Sequence, residues 1–230
     1  MEGANLSIES KREPVLKPLR ELVGIFDLAP GLWIWRARHP FWTDDADWQP
    51  VVTSTFVESR GERAVIDAIS PALDYIGLWE RLDMSPPTMA LVTMPDHVRD
   101  VDLFSRRYKA KAYGPMFFFP DDIPNTILIP AVAENEIPGG IVPLYDARGR
   151  AETPFWIPDH KIIVFGDALT DRKGELRIWD SPWHSKREVP ALRAMLDLPF
   201  ERVIISHCDV DPVHTRKEFE QALELPPWNE

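Results

Sequence analysis

Three apolar runs in this chain each stop on a short polar fragment. "MALVTMP" leads to Asp96-His97, "KIIVF" to Gly166-Asp167 and "RVII" to Ser206-His207. Apolar, β-branched runs of this length read as buried strands. Polar residues at the exit of a buried strand lie on the rim of a sheet, where binding and catalytic groups are placed. Two histidines and two aspartates, Asp96, His97, Asp167 and His207, suit the coordination of one divalent metal ion. No other part of the sequence gathers so many potential ligands in such similar surroundings.

The rest of the sequence predicts how those strands are covered. Residues 1–20 are polar and predict an irregular arm. Strands are expected over Leu32–His39, Val51–Ser59 and Ala64–Ser70, with Arg60-Gly61-Glu62-Arg63 as a hairpin turn. "ALDYIGLWERLDM" carries Leu73, Ile76, Leu78, Trp79 and Leu82 on one helical face, and Pro86-Pro87 ends it. "DHVRDVDLFSRRY" places Val98, Val101, Phe104 and Tyr108 on another such face. Strand, helix, strand, helix, strand from Ala64 to Gly114 predicts an α/β layered fold. The second half predicts strands at Thr126–Pro130, Gly140–Asp146, Glu152–Pro158, Lys161–Leu169 and Glu175–Asp180, then "VPALRAMLDL" as a helix, "RVIIS" as a strand and "VHTRKEFEQALEL" as a last helix. Two β-rich stretches, each ending in α/β units, suggest a duplicated half packed as a sandwich with helices outside. The 23 prolines punctuate these elements rather than clustering, and the 230 residues are expected to form a single domain.

A net charge of −11 argues against nucleic acid and anionic membranes as partners. The N-terminal residues have no apolar core of the signal-peptide type, and no apolar stretch approaches the ~20 residues that span a bilayer. The lone cysteine, Cys208, excludes an intrachain disulfide, and a cytoplasmic protein is expected. There is no phosphate-loop or dinucleotide glycine pattern, no Cys-x-x-Cys and no Gly-x-Ser-x-Gly.

The order of these fragments resembles the metallo-β-lactamase superfamily, whose fold is a four-layer αββα sandwich. "AVIDAISP" resembles its early strand ending in Asp, and "LVTMPDHVRDVDLF" stands where the family carries His-x-His-x-Asp-His. "IIVFGDALT" resembles the strand with the bridging Asp, and "VIISHCDVDPV" the late strand ending in His. The resemblance implies a hydrolase-like protein, and the departures from the motif imply a divergent one. With Asp96-His97 aligned on the family's Asp-His, Val92 and Met94 stand where two histidines of the first metal site belong. Between Ile137 and Thr153, where the third is expected, there is no histidine. What remains is the second site: Asp96, His97, Asp167 and His207, for at most one zinc, iron or manganese ion, with Asp96 and Asp167 as the catalytic carboxylates. A second register, slid by two residues, puts Val98 and Arg99 on the family's Asp-His and breaks both sites. The sequence leaves both registers open.

A bound ion would acidify water for attack on an ester, thioester or amide. Asp67 and Asp209 are candidates to orient the histidine ligands. Against this stands a metal-free scaffold of the same fold, with activity weak or lost, in which Asp96 caps the following helix. The aromatic hairpin Phe41, Trp42 and Trp48 could cover a substrate groove, pack on itself, or mediate self-association into a homodimer. His39 could approach the site from that flap. His160, His184 and His214 are expected in turns and loops, Cys208 as a buried thiol, and "MFFFPDD" (Met116–Asp122) as buried at the edge of the sandwich. Whether a small molecule or a protein is the partner is open at this level.

Overall fold

The computed structural model describes residues 20–147 and 152–228. The expected N-terminal arm therefore lies, but for Arg20, outside the described residues. In the first half the elements are β1 (Leu22–Ala29), β2 (Leu32–Arg38), β3 (Val51–Ser59), β4 (Glu62–Ile66), α1 (Ile76–Met84), β5 (Met89–Leu91), α2 (Val101–Tyr108), β6 (Lys111–Gly114) and β7 (Ile129–Pro130). In the second they are β8 (Val142–Pro143), β9 (Phe155–Ile157), β10 (Ile162–Val164), β11 (Leu169–Arg172), β12 (Glu175–Ile178), α3 (Val189–Ala194), β13 (Arg202–Ile204), β14 (His207–Cys208), β15 (Val213–Thr215) and α4 (Arg216–Ala222).

These strands form two sheets. The larger runs β12-β11-β14-β3-β4-β5-β6-β7, with β2 also paired to β3 and β1 to β2; the smaller runs β15-β13-β10-β9-β8. β4, β5 and β6 are parallel, as the βαβαβ reading requires. Side-chain alternation along the strands builds the layers. In β2, Leu32 and Ile34 enter the core between the sheets, while Trp33 and Trp35 pack with Leu78, Leu82 and Phe104 of α1 and α2. In β10, Ile162 and Val164 face that same central core, while Ile163 packs with Leu192 and Phe219 of α3 and α4. The result is the expected αββα order of layers, and each fully buried Leu, Ile or Phe contributes about 1.5–3 kcal/mol to holding it.

The halves are not equal, however. β11, β12 and β14 leave the second half and join the larger sheet, giving ten strands against five. The apolar run Lys161–Leu169, expected as one strand, breaks at Gly166-Asp167 into β10 and β11, which belong to different sheets. β1 was not expected; Gly24 and its half-exposed pattern hide a strand that pairs with β2 alone. The last helix begins later than predicted. Val213–Thr215 pairs with β13 as a strand, and a capping box between Thr215 and Glu218 starts α4 at Arg216.

Three further expectations fail on side-chain placement. α2 starts at Val101 with Asp100 at its N-cap position, so Asp96 caps no helix; residues 93–100 form turns instead. Met116, Phe117 and Phe119 are 78%, 53% and 41% exposed, because the Pro-punctuated loop from Pro115 to Leu128 runs outside the sheet rather than beneath it. His214 is buried on β15, with Nε2 3.6 Å from Asp171 Oδ2, and His184 opens a π-helical turn over His184–Glu188. No helix among the described residues is long and apolar enough to cross a membrane.

Candidate metal centre

The three polar strand exits meet. β4 ends at Ile66, and Asp67 follows with φ +46°, a left-handed conformation that Asp tolerates better than most residues. This turn aims its carboxylate at the segment after β5. Oδ1 accepts the Thr93 backbone N–H at 2.8 Å and Oδ2 the Thr93 hydroxyl at 2.5 Å. The same Oδ2 lies 2.9 Å from His97 Nδ1. His97 is thereby fixed in ring orientation, with Nε2 directed across the rim.

Asp167 is delivered by the break between β10 and β11. Glu152, 2% exposed, gathers three consecutive backbone N–H groups: Gly166 on Oε1 at 2.8 Å, and Asp167 and Ala168 on Oε2 at 2.9 and 2.8 Å. Glycine is required at 166, since a Cβ there would stand 2.6 Å from Thr93 Oγ1 and 3.1 Å from Met94 Sδ. His207 comes from the parallel crossing between β13 and β14, where Thr53 N–H donates to Ser206 O at 2.9 Å.

At the meeting point Asp167 Oδ1 is 3.0 Å from His97 Nε2 and 3.3 Å from His207 Nε2, and the two nitrogens are 3.4 Å apart. These three are the one group among the described residues that could hold a metal ion. A tetrahedral ion with bonds of about 2.0–2.1 Å sets its ligand atoms ~3.3 Å from one another, so the spacing fits. Asp96 lines the same cavity but is not one of the three. Asp67 stands behind His97 as anticipated, whereas Asp209 is turned to the Gln49 side chain and the Lys173 backbone N–H.

The electrostatics follow from this packing. Burial opposes charge on Asp167, but His97 and His207 outweigh it and hold the carboxyl well below the usual range. Burial likewise opposes charge on His97, yet Asp167 and Asp67 raise its pKa to about 10. His207 is lowered, chiefly by burial. His39, on the cavity wall, is lowered to about 3 by burial and then by Arg99.

The cavity, about 270 Å³, is walled by Trp48, Trp179, His39 and Asp47. Trp48 sets its ring edge-on to His207, centroids 5.3 Å apart. Trp42 instead donates its indole N–H to Trp48 O at 2.7 Å beneath the Arg38 guanidinium, so it braces the flap. Phe41 is 78% exposed and lines the neighbouring cavity. Cys208 is buried, and burial pushes its thiol up to about 12. His160 donates from Nε2 to Glu58 O at 2.7 Å.

Sequence reasoning missed Glu152, Arg99 and Trp179. Arg99 entered only as part of the slid register; it instead donates to Thr53 O at 2.9 Å, to Asp67 O at 2.5 Å and to the Ser206 hydroxyl. Glu152 lies inside the window where the family's third histidine is expected, but a single Glu before Thr-Pro carries no signal of burial.

No family model matches the chain, and no curated protein does. Solved structures do. The metallo-β-lactamase FIM-1 from Pseudomonas aeruginosa, in a mono-zinc form, superposes with a TM-score of 0.62 at 15% identity, covering 90% of this chain and 96% of its own. A metallo-β-lactamase from Hirschia baltica gives 0.64 at 12%, covering 89% and 97%. One from Pontibacter korlensis gives 0.61 at 13%, covering 90% and 100%. The chain has the metallo-β-lactamase fold.

Proposed function

We propose that this chain is a divergent hydrolase-like protein of that fold, holding a single divalent ion on His97 Nε2, Asp167 Oδ1 and His207 Nε2. The observation that carries the reading is the mutual spacing of 3.0, 3.3 and 3.4 Å among those three atoms. FIM-1, one of the similar structures, is known in a mono-zinc form, which makes a one-ion site on this fold reasonable. Zinc suits two imidazoles and a carboxylate; iron and manganese are the alternatives.

When bound, such an ion would supply Lewis acidity and a water acidified towards neutrality, for attack on an ester, thioester or amide. The chain's own residues do the rest. Asp67 takes the Nδ1 proton of His97 in a hydrogen bond and leaves the Nε2 lone pair for the site. Glu152 holds the 166–168 backbone, so Asp167 is placed before anything binds. Asp96, on the cavity wall, is the proton acceptor we assign to the water. Trp48 and Trp179 line the cavity beside His207.

A second reading has its own support. His97 lies between Asp67 Oδ2 and Asp167 Oδ1, and a protonated imidazole satisfies both without an ion. That is the metal-free scaffold. Metal content of the full-length protein by mass spectrometry, beside Asp167→Ala, decides. About one zinc, iron or manganese per chain, lost in the variant, supports the one-ion site; no ion after incubation with all three favours the scaffold.

A further inference from the structure

Two indole walls from different parts of the chain line the cavity over the metal centre. Trp48 belongs to the flap between β2 and β3, and Trp179 follows β12. Both stand edge-on to His207, with ring centroids 5.3 and 6.2 Å away. One side chain and one short segment, neither of them used by the metal centre, join these walls.

The segment is 226–228. Beyond α4, Pro226 and Pro227 cannot carry a helix on and favour an extended backbone. The chain is thereby laid along β12, the last strand at one end of the larger sheet. Trp228 N–H donates to Ile178 O at 2.7 Å, and Asp180 N–H donates to Trp228 O at 2.8 Å. Arg177 Nη1 donates to Pro226 O at 2.9 Å. An exposed sheet edge is covered in this way, and Trp228 comes to lie opposite Trp179 in a single parallel bridge.

Arg172, the last residue of β11, uses this pair. Its guanidinium carbon lies 5.3 Å from the centroid of the Trp179 ring and 5.0 Å from that of Trp228. Nη2 donates to Asp47 O, on the flap, at 3.2 Å. Nε is buried and has no hydrogen-bond partner among the described residues, so the indole faces hold that side of the guanidinium. The flap is fastened a second time at Gln49, whose amide donates to Asp171 O at 3.2 Å and to Asp209 Oδ1 at 3.1 Å. Gln49 anchors the end of the flap nearest β3. Arg172 joins Asp47, which lines the cavity, to the Trp179 wall.

We propose that Arg172 is a positioning residue of this site: lying over Trp179 and Trp228 and bonded to Asp47, it locks the flap to the Trp179 wall and governs what reaches His207. Residues 226–228 are the outer half of that lock. The lock rests on these contacts alone; that the molecule it admits is a substrate rests on the hydrolase reading.

The test follows access to His207 in the full-length protein after treatment with a chelator. Diethyl pyrocarbonate, a small reagent that modifies imidazoles, is added, and the rate at each histidine is measured by peptide mass spectrometry. Arg172→Met keeps the length of the stem but loses the charge and the donor; in it His207 reacts at least about tenfold faster than in the unaltered chain. Trp228→Ala gives a smaller rise, about fivefold, and Arg172→Lys falls between Arg172→Met and the unaltered chain. His214 is the control for the fold. It is 3% exposed on β15, with Nε2 3.6 Å from Oδ2 of Asp171, the neighbour of Arg172, so a loosened β11 raises its rate too. An unchanged His207 rate in Arg172→Met or in Trp228→Ala, or equal rises at His207 and His214, overturns the inference. Should Arg172→Met fail to fold, judged by thermal unfolding, Trp228→Ala and Arg172→Lys carry the same test. Zinc content of the unaltered chain separates the lock from the metal reading. A rise confined to His207, in a protein that takes up no zinc, keeps the lock and removes the metal centre. One zinc per chain with an unchanged His207 rate in the variants removes the lock and leaves the metal centre standing.

Discussion

On one side of the rim His97, Asp167 and His207 converge, each with a nitrogen or oxygen turned to a shared point. On the other side Val92 and Met94 are 1% and 0% exposed, and the carboxylate of Glu152 is already bonded to three backbone N–H groups. Both corners hold a buried acid, but they differ in what the acid still has to offer. Glu152 spends its two oxygens inward on the chain; Asp167 keeps Oδ1 turned to two imidazoles. A carboxylate counts as a ligand only if the backbone has not claimed it first.

Six substitutions would break or sharpen that contrast. His207→Ala should abolish metal uptake, reducing affinity by more than the ~100-fold seen when an outer-sphere partner is lost, whereas Val92→Ala should leave the ion content as it was. Equal losses from both, read by mass spectrometry, would erase the distinction between the corners. Glu152→Ala strands three buried N–H donors and should cost at least about 3 kcal/mol in chemical denaturation, with Glu152→Gln recovering part of it. An unchanged midpoint would show that water or another group satisfies the 166–168 turn. Asp67→Asn keeps the shape but weakens the hold on His97, and calorimetric zinc affinity should drop about 10- to 100-fold. Met94→Leu is the mildest: a near-isosteric exchange costing less than about 1.5 kcal/mol, with metal stoichiometry unaltered. Loss of the ion in that variant would place the thioether in the metal corner after all.

The layers and the three strand exits were legible because they depend on local pattern. β-branched runs and the helical faces around Leu78 and Phe104 are written in consecutive residues. The sequence left the Asp96-His97 register open; in the structure His97 lies against Asp167 on the rim, while Arg99 donates to Thr53 O and Asp67 O. β1 escaped notice because its partner, not its composition, makes it a strand. The aromatic run at Phe117–Phe119 misled for the opposite reason: hydrophobicity records a tendency to be buried, and the sheet ends at β7 before it can cover them. Glu152 was out of reach altogether, since its three donors lie fourteen to sixteen residues along the chain.

The break between β10 and β11 has a mechanical side. Chain that leaves the small sheet at Val164 enters the large one at Leu169, and chain that leaves at Ile204 enters at His207. Asp167 and His207 ride on these two crossings, while His97 belongs to the segment following β5 of the large sheet. An ion held by all three would act as a rivet through the hinge line of the sandwich, so that parting the sheets and releasing the ion become one event. Amide exchange at Phe165–Ala168 and at Ile205–Cys208 should then slow together on metal addition, as a single opening unit rather than as two loops.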